Sequence, residues 1–538
     1  MLAQRYKDHP ALIAWHVSNE YGGACMCETC AAAFRVWLQK RYGTLDEVNA
    51  RWWTSFWSHT YTDWSQLEPP YADGEQLIGG LTIDYKRFQS DSMLECFMLE
   101  RDAIRSITPD IPITTNMMGA YPSLDYRAWA RHVDVVSWDC YPWPNADPGD
   151  IAFLHDLNRG LKDGQPFMLM EQTPSSQNWQ RVNALKRPGV LRLWSYLAVA
   201  HGADTVMYFQ WRRGLGGCEK FHGAVVEHSN RSDTRVFREV AALGAELEHL
   251  GDATIGAVTP AQVAILFDWE NWWAIDAAVG PIDPKGYLET VRKHYKALWQ
   301  RNVPVDVVFS DSDLTDYKVL VAPMLHMVKE GMPERIEEMV ARGGRFVTTY
   351  FSGYVNESDL VAFDGYPGPL RGVLGLWVEE IDALYEGQTN RIVMSDGSGS
   401  YSCARLCDIV RCEGAKVTAT YGSDFYAGTP VVTEHSFGKG TAYYIASDPE
   451  DLFLERFYGS LLEAQGIRPL LQTPPGVEVT LRQTETHTFL FVLNHTAEPQ
   501  NIVLDAPYRN LLSDPGLLRG TIILDAHDVM ILQQLNSS

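Results

Sequence analysis

Five short apolar runs in the first half of this chain each end on polar or acidic side chains. They are ALIAWHVS (11–18), IPITTN (111–116), VDVVSWDCY (133–141), PFMLMEQ (166–172) and TVMYFQW (205–211). Runs this short, apolar on both faces and closed by Gly, Pro or polar residues, predict buried parallel strands. The stretches 83–107, 125–133, 187–203 and 234–250 carry helical patterning. Regular alternation of strand and helix means an α/β fold on a parallel sheet. The polar residues gather at the C-terminal strand ends. Asn19 and Glu20 follow the first run and Asn116 ends the second. Asp139 and Tyr141 end the third, Glu171 the fourth, and Gln210 and Trp211 the fifth. That face carries the active site of a (β/α)8 TIM barrel, and it also gathers ligands in a doubly wound sheet. No run is followed by the GxGxxG turn of a dinucleotide-binding sheet, which favours the barrel. Eight strands close such a barrel. Only five precede the change of pattern near residue 255, so the expectation is a chain that begins inside its barrel.

At 538 residues the chain is too long for one core. Three units are expected, over 1–255, 256–472 and 473–538. In the second, QVAILFD (262–268) restarts the pattern, an amphipathic helix follows at 287–302, and VDVVFS, YKVLVAP, GRFVTTY and GTAYYIAS continue a strand–helix alternation. Neither a nucleophile elbow nor a phosphate loop stands out there. The third unit changes to period two, as in VEVTLRQTETHTFLFVLNHT, and predicts an antiparallel β-domain. It lacks an exposed aromatic run that would suit carbohydrate binding, so a structural role is expected.

Charge narrows the partners. With 68 acidic against 45 basic residues the net charge is -23, which argues against nucleic acid and anionic membranes. No 18-residue apolar run predicts a membrane span. The segment before His9-Pro10 is too polar for a secretory signal. Nine cysteines in 538 residues do not read as a disulfide framework, and a cytoplasmic location is expected.

Two glutamates on different strands of one barrel can face each other across its mouth. That makes possible the ~5–5.5 Å carboxyl separation of retaining glycosidases, where one group is a protonated acid and the other an ionised nucleophile. A lone Glu after a strand is otherwise usually solvated. Cys25, Cys27 and Cys30 place three thiols within six residues, a pattern suited to a soft metal such as zinc or to a trio of free thiols. His16, flanked by apolar residues, reads as a satisfied core histidine.

The motifs NEYGG (19–23), CxCxxC (25–30), MEQTPSSQNW (170–179), FQWR (209–212) and EKFH (219–222) resemble glycoside hydrolase family 42. The resemblance runs from residue 8 to the end. It implies a β-galactosidase with a (β/α)8 barrel, a flavodoxin- or amidotransferase-like trimerisation domain and a small C-terminal β-domain. It makes the strands present here the barrel's fourth to eighth. It implies Glu20 as general acid/base, Glu171 as nucleophile and Asn19 as the partner of the sugar 2-hydroxyl. Trp179, Phe209, Glu219 and His222 would form the galactose pocket, and Tyr141 would hydrogen-bond the nucleophile. Each has a bland alternative: Trp179 as packing, and Glu219 with His222 as a surface ion pair on one helical face. Zinc, if bound by Cys25, Cys27 and Cys30, would be structural, since the mechanism needs no metal, and the resemblance implies a fourth cysteine from the upstream part of the family's barrel. A homotrimer acting on β-galactosides is implied. An α-L-arabinopyranosidase, or an inactive fragment that only assembles, stands as the alternative. Trp269, Trp272 and Trp273 either pack in the core or meet a neighbouring subunit. Cys403, Cys407 and Cys412 are expected to be structural thiols, while Cys140 at a strand end could lie near the site.

Overall fold

The computed structural model describes residues 1–71, 77–363, 365–513 and 516–535. Each apolar run of the first half forms a strand, shorter than its sequence pattern. β1 (Trp15–His16) pairs in parallel with β2 (Ile113–Thr114), and Thr115 interrupts the chain before β3 (Asn116–Met117). β3, β4 (Ser137–Asp139), β5 (Phe167–Glu171) and β6 (Ala203–Val206) follow in order, all parallel. Parallel neighbours of this kind need crossover helices against the sheet. These are Gly79–Arg105, Tyr126–Ala130, Pro148–Gly160, Val190–Ala200 and Arg235–Leu250. Side-chain caps start several of them: Asp125 accepts from the Ala128 N–H, Asp147 from Gly149 and Thr234 from Phe237. His16 is exposed on β1, contrary to the core placement expected of it. β1 has a paired neighbour on one side only among the described residues, so that part of the strand is uncovered.

Val190–Ala200 is apolar all round, and only Arg192 within it escapes burial. Such a helix must be covered on both sides. β6 covers one side, and the C-terminal sheet covers the other.

The second unit departs from the sequence reading. Its parallel part, β7 (Val263–Leu266), β8 (Val305–Val308), β9 (Val319–Ala322) and β10 (Arg345–Thr349), alternates with helices as expected. Between residues 376 and 437 the chain instead runs through β11 (Leu376–Ala383), β12 (Asn390–Met394), β13 (Ser400–Cys412), β14 (Lys416–Tyr421) and β15 (Pro430–Phe437), all antiparallel. β16 (Gly440–Ile445) then joins β10 in parallel, so both halves share one mixed sheet. Tight turns in place of crossover helices explain the difference. Cys403 and Cys407 are buried in this sheet, whereas Cys412 is exposed. The third unit is antiparallel: β18 (Val477–Gln483), β19 (Thr488–Asn494), β20 (Gln500–Asn510), β21 (Leu517–Leu524) and β22 (Val529–Gln534), with β17 (Ser447–Pro449) belonging to the second.

A buried polar network joins the three units. His201, at the end of Val190–Ala200, directs Nδ1 at Asp156 Oδ1 (2.9 Å) and Nε2 at Glu478 Oε1 (2.7 Å). Both ring nitrogens face carboxylates, so both donate and the ring is an imidazolium. Tyr295 donates to Asp156 Oδ2 (2.6 Å), and Trp299 to Glu478 Oε1 (2.7 Å), both from the second unit. Arg159 bridges Asp156 and Asp306. Arg482 of β18 reaches back into the first unit and donates to the carbonyls of Val199 (3.1 Å), Ala203 (2.9 Å) and Ala257 (2.9 Å). Trp269 and Trp273 are buried within the chain and donate to the carbonyls of Tyr121 (2.9 Å) and Pro122 (2.6 Å). Neither projects toward a neighbour.

Burial alone would depress His201, but Asp156 and Glu478 outweigh it and hold the ring pKa up at about 10. Both carboxyls are themselves desolvated, yet His201 and its neighbours hold them below the usual carboxylate range. The His201 contribution is complete below its unfolded value of about 6.5 and is lost as pH rises toward 10. The carboxylate contribution is present above about 4 and is lost as pH falls. Melting temperature should therefore be highest between about pH 4.5 and 6.5 and fall toward pH 10. In His201→Gln the alkaline part of that fall should disappear, as calorimetry across pH would read.

Candidate active site

The strand-end residues predicted from sequence converge on Asn116, at the start of β3. Its Nδ2 faces Asn19 Oδ1 (3.0 Å), Asp139 Oδ2 (2.5 Å) and Glu171 Oε1 (3.4 Å). Its Oδ1 accepts from the Glu20 backbone N–H (2.9 Å). That last bond holds Glu20 at φ 40°, left-handed backbone that a residue with a side chain rarely adopts. One carboxylate oxygen from each of Glu20, Asp139 and Glu171 lies within 4.8 Å of the other two. Tyr141 donates its hydroxyl to Glu171 Oε2.

Burial pushes the Glu171 pKa up. The Tyr141 hydrogen bond opposes that shift, and the charges of Glu20 and Glu219 add to it. Asp139 is buried beside both glutamates and is pushed up to about 9, first by desolvation and then by their charges.

One aromatic wall flanks the carboxylates. Trp179 stacks on His222 with ring centroids 4.5 Å apart, and Tyr141 meets Trp179 edge-on at 5.1 Å. Phe209 meets His222 at 5.3 Å. Trp179 is 49% exposed, so it presents a face to solvent and is not a core packing residue. His222 is buried, with its ring nitrogens toward Asn178 Oδ1 (3.1 Å) and the Phe209 carbonyl (3.2 Å). Glu219 and His222 lie on a turn, not a helix, closed by the His222 N–H to the Glu219 carbonyl (2.9 Å). The surface ion pair weighed for them is not made: His222 is engaged elsewhere, and Glu219 acts on Glu171. Gln210 and Trp211 lie beyond β6, where their carbonyls accept from Val225 and Val226. Cys140 is buried beside Asp139, and burial pushes its thiol up.

Sequence reasoning placed Asn116 and Asp139 at strand ends without a role. Asn178 carried no signal beyond its place in SSQNW. The loop after Glu20 is braced from outside: Gly23 N–H donates to the Tyr121 hydroxyl (3.2 Å), and Trp269 holds the Tyr121 carbonyl. Beyond it, the sulfurs of Cys25, Cys27 and Cys30 lie within 4.8 Å of one another, with Cys27 and Cys30 3.7 Å apart. Backbone donors from Cys30 and a hydrogen bond from Cys25 help draw the Cys27 thiol down to about 7. Zinc–thiolate bonds of ~2.3 Å put tetrahedral sulfurs about 3.8 Å apart, which the Cys27–Cys30 pair matches and the Cys25 sulfur, within 4.8 Å of both, approaches.

Facing carboxylates at the C-terminal ends of parallel strands, beside an aromatic wall, are an arrangement that glycoside hydrolysis can use. Family models match in sequence along the chain: "Beta-galactosidase" over residues 1–250, "Beta-galactosidase trimerisation domain" over 261–468 and "Beta-galactosidase C-terminal domain" over 476–534. The chain belongs to glycoside hydrolase family 42. It is 53% identical to the β-galactosidase BgaP of Planococcus sp. (strain L4), over 99% of this chain and 80% of that protein. It is 46% identical to BglY of Alicyclobacillus acidocaldarius, over 99% and 79%. Among solved structures, the β-galactosidase of Bacillus circulans sp. alkalophilus matches with a TM-score of 0.98 at 53% identity, over 99% of this chain and 81% of that one. The β-galactosidase of Rahnella sp. R3 matches with a TM-score of 0.96 at 46% identity, over 99% and 80%.

Asn116→Ala would release Glu20, Asn19 and Asp139 together. Misplacing reacting groups by an ångström costs about 10²-fold. Galactoside turnover should fall by about that factor, with the circular dichroism spectrum unchanged.

Proposed function

We propose that this chain is a retaining β-galactosidase, releasing terminal β-D-galactosyl groups by double displacement. The observation that carries this reading is the Glu20–Glu171 pair, with oxygens within 4.8 Å. That closeness suits a retaining pair, whose carboxyls stand ~5–5.5 Å apart, better than an inverting pair at ~6.5–9.5 Å. Glu171 is the nucleophile. Its carboxylate attacks the anomeric carbon while Glu20 protonates the departing oxygen. Glu20 then takes a proton from water, which releases the sugar from Glu171. Tyr141 donates to Glu171 and favours its ionised form. Asn19 holds the 2-hydroxyl near Glu171, and Trp179, Phe209, Glu219 and His222 line the sugar pocket.

We read β1 to β6 as positions four to eight of a (β/α)8 barrel, with β2 and β3 as one interrupted strand. The second unit is the trimer-forming one. Cys25, Cys27 and Cys30 would hold a structural zinc, which would fasten the loop after Glu20 to the helix Glu28–Tyr42.

Glu171→Ala should lose at least ~10³-fold in kcat on 4-nitrophenyl β-D-galactoside. Azide should restore turnover by giving the α-galactosyl azide; full activity in the variant would sink the assignment. Tyr141→Phe should move the acid limb of kcat/KM to higher pH, because the donor that lowers the Glu171 pKa is gone. Chelation at neutral pH should release about one zinc per chain, read by atomic emission, and lower the melting temperature.

A further inference from the structure

The hydrogen bonds around Asn116 do not balance if every carboxyl nearby is ionised. Its Nδ2 carries two hydrogens but faces three oxygens, those of Asn19, Asp139 and Glu171. Asp139 Oδ1 is buried and has no hydrogen-bond partner within the protein. Among the described residues the Asp139 carboxyl makes no ion pair. An ionised Asp139 would be a buried charge with one donor, placed within 4.8 Å of two other carboxylates.

We propose that Asp139 is a positioning residue that works as a neutral carboxylic acid, donating a hydrogen bond to Glu20 throughout the reaction. This inference rests on the assignment of Glu20 and Glu171 above. A neutral carboxyl offers one acceptor and one donor. Its acceptor, Oδ2, already receives Asn116 Nδ2 (2.5 Å). Its O–H, on the unpartnered Oδ1, can turn to the Glu20 carboxyl, which has an oxygen within 4.8 Å of the Asp139 carboxyl. In the first step Glu20 gives its own proton to the leaving oxygen, and Asp139 fixes the other Glu20 oxygen. In the second step Glu20 is a carboxylate that takes a proton from water, and the same Asp139 donor steadies its charge. Asp139 keeps its proton in both steps. The donor is therefore constant while Glu20 changes from acid to base.

The groups facing Asp139 are Glu20 from the loop after β1, Glu171 from β5, Tyr126 from the helix Tyr126–Ala130, and Tyr141 and Cys140 from its own segment. None supplies a positive charge that would favour ionisation. Loss of the Asp139 proton would turn the donor into a third carboxylate facing the pair.

The test compares Asp139→Asn with Asp139→Ala in the full chain. Asparagine reproduces the shape and the neutral charge, and sets an accepting oxygen beside a donating nitrogen. On 4-nitrophenyl β-D-galactoside, kcat/KM of Asp139→Asn should stay within about tenfold of the parent, and Asp139→Ala should fall about a hundredfold or more. With 2,4-dinitrophenyl β-D-galactoside, whose departure needs no proton, kcat reads the water step in which Glu20 is the base; there the parent should lose kcat near pH 9 and Asp139→Asn should not. Asp139→Asn as inactive as Asp139→Ala, or an unchanged alkaline limb, would overturn the neutral role. The first of these remains readable from Asp139→Asn alone should the alanine variant fail to fold. Glu171→Ala in the same assay separates the two readings. Loss with azide rescue upholds the carboxylate pair, so a failed Asp139→Asn then counts against Asp139 alone. Full activity in Glu171→Ala brings down both.

Discussion

A protonated imidazole between two buried carboxylates holds this molecule together. His201 comes from the first unit, Glu478 from the third, and Asp156 from the helix that also receives Tyr295 of the second. Charges buried this deeply are unfavourable alone and tolerable only with every partner in place. The consequence is mutual dependence. Removing the first or the third unit would part His201 from Glu478, and removing the second would strip Asp156 of Tyr295 and Glu478 of Trp299, so none of the three has a complete interior by itself. The helix Val190–Ala200 says the same in apolar terms, since it is covered by β6 on one side and by the C-terminal sheet on the other.

The reacting centre depends on a smaller constraint of the same kind. Asn116 reads four groups from three strands with a single amide. It holds Glu20 in left-handed backbone, and the bracing of Gly23 by Tyr121, and of Tyr121 by Trp269, supports that loop from the second unit. Rigid support of this sort places an acid/base group to within a fraction of an ångström. The second unit thus contributes to the site's geometry without lending it a side chain.

The parallel arc was legible in the sequence because short apolar runs and helical patterning alternate there without interruption. Glu20, Glu171, Asn116 and Asp139 were legible as strand-end polar residues, since strand ends are where a parallel fold exposes them. What was not legible is who bonds to whom. Strand periodicity orders residues along the chain but does not say that one amide would serve Asn19, Asp139 and Glu171 at once. The aromatic wall shows the same limit: EKFH suggested a helical face, and the chain made a turn, because tertiary bonds from Asn178 and Phe209 fix His222. The antiparallel block from β11 to β15 was missed because short apolar segments look alike whether helices or turns connect them. His16 was misplaced for a local reason, as apolar neighbours in sequence do not cover a strand whose outer side is open.

Arg482 has a meaning for the life of the chain as it is made. It satisfies the carbonyls of Val199 and Ala203, residues separated from it by 283 and 279 positions. On a ribosome those carbonyls emerge long before their partner does. Until β18 is translated, both carbonyls lack the guanidinium donor that Arg482 brings. The order of synthesis and the order of completion are therefore opposed, and the end of the first unit is finished only when the third is made.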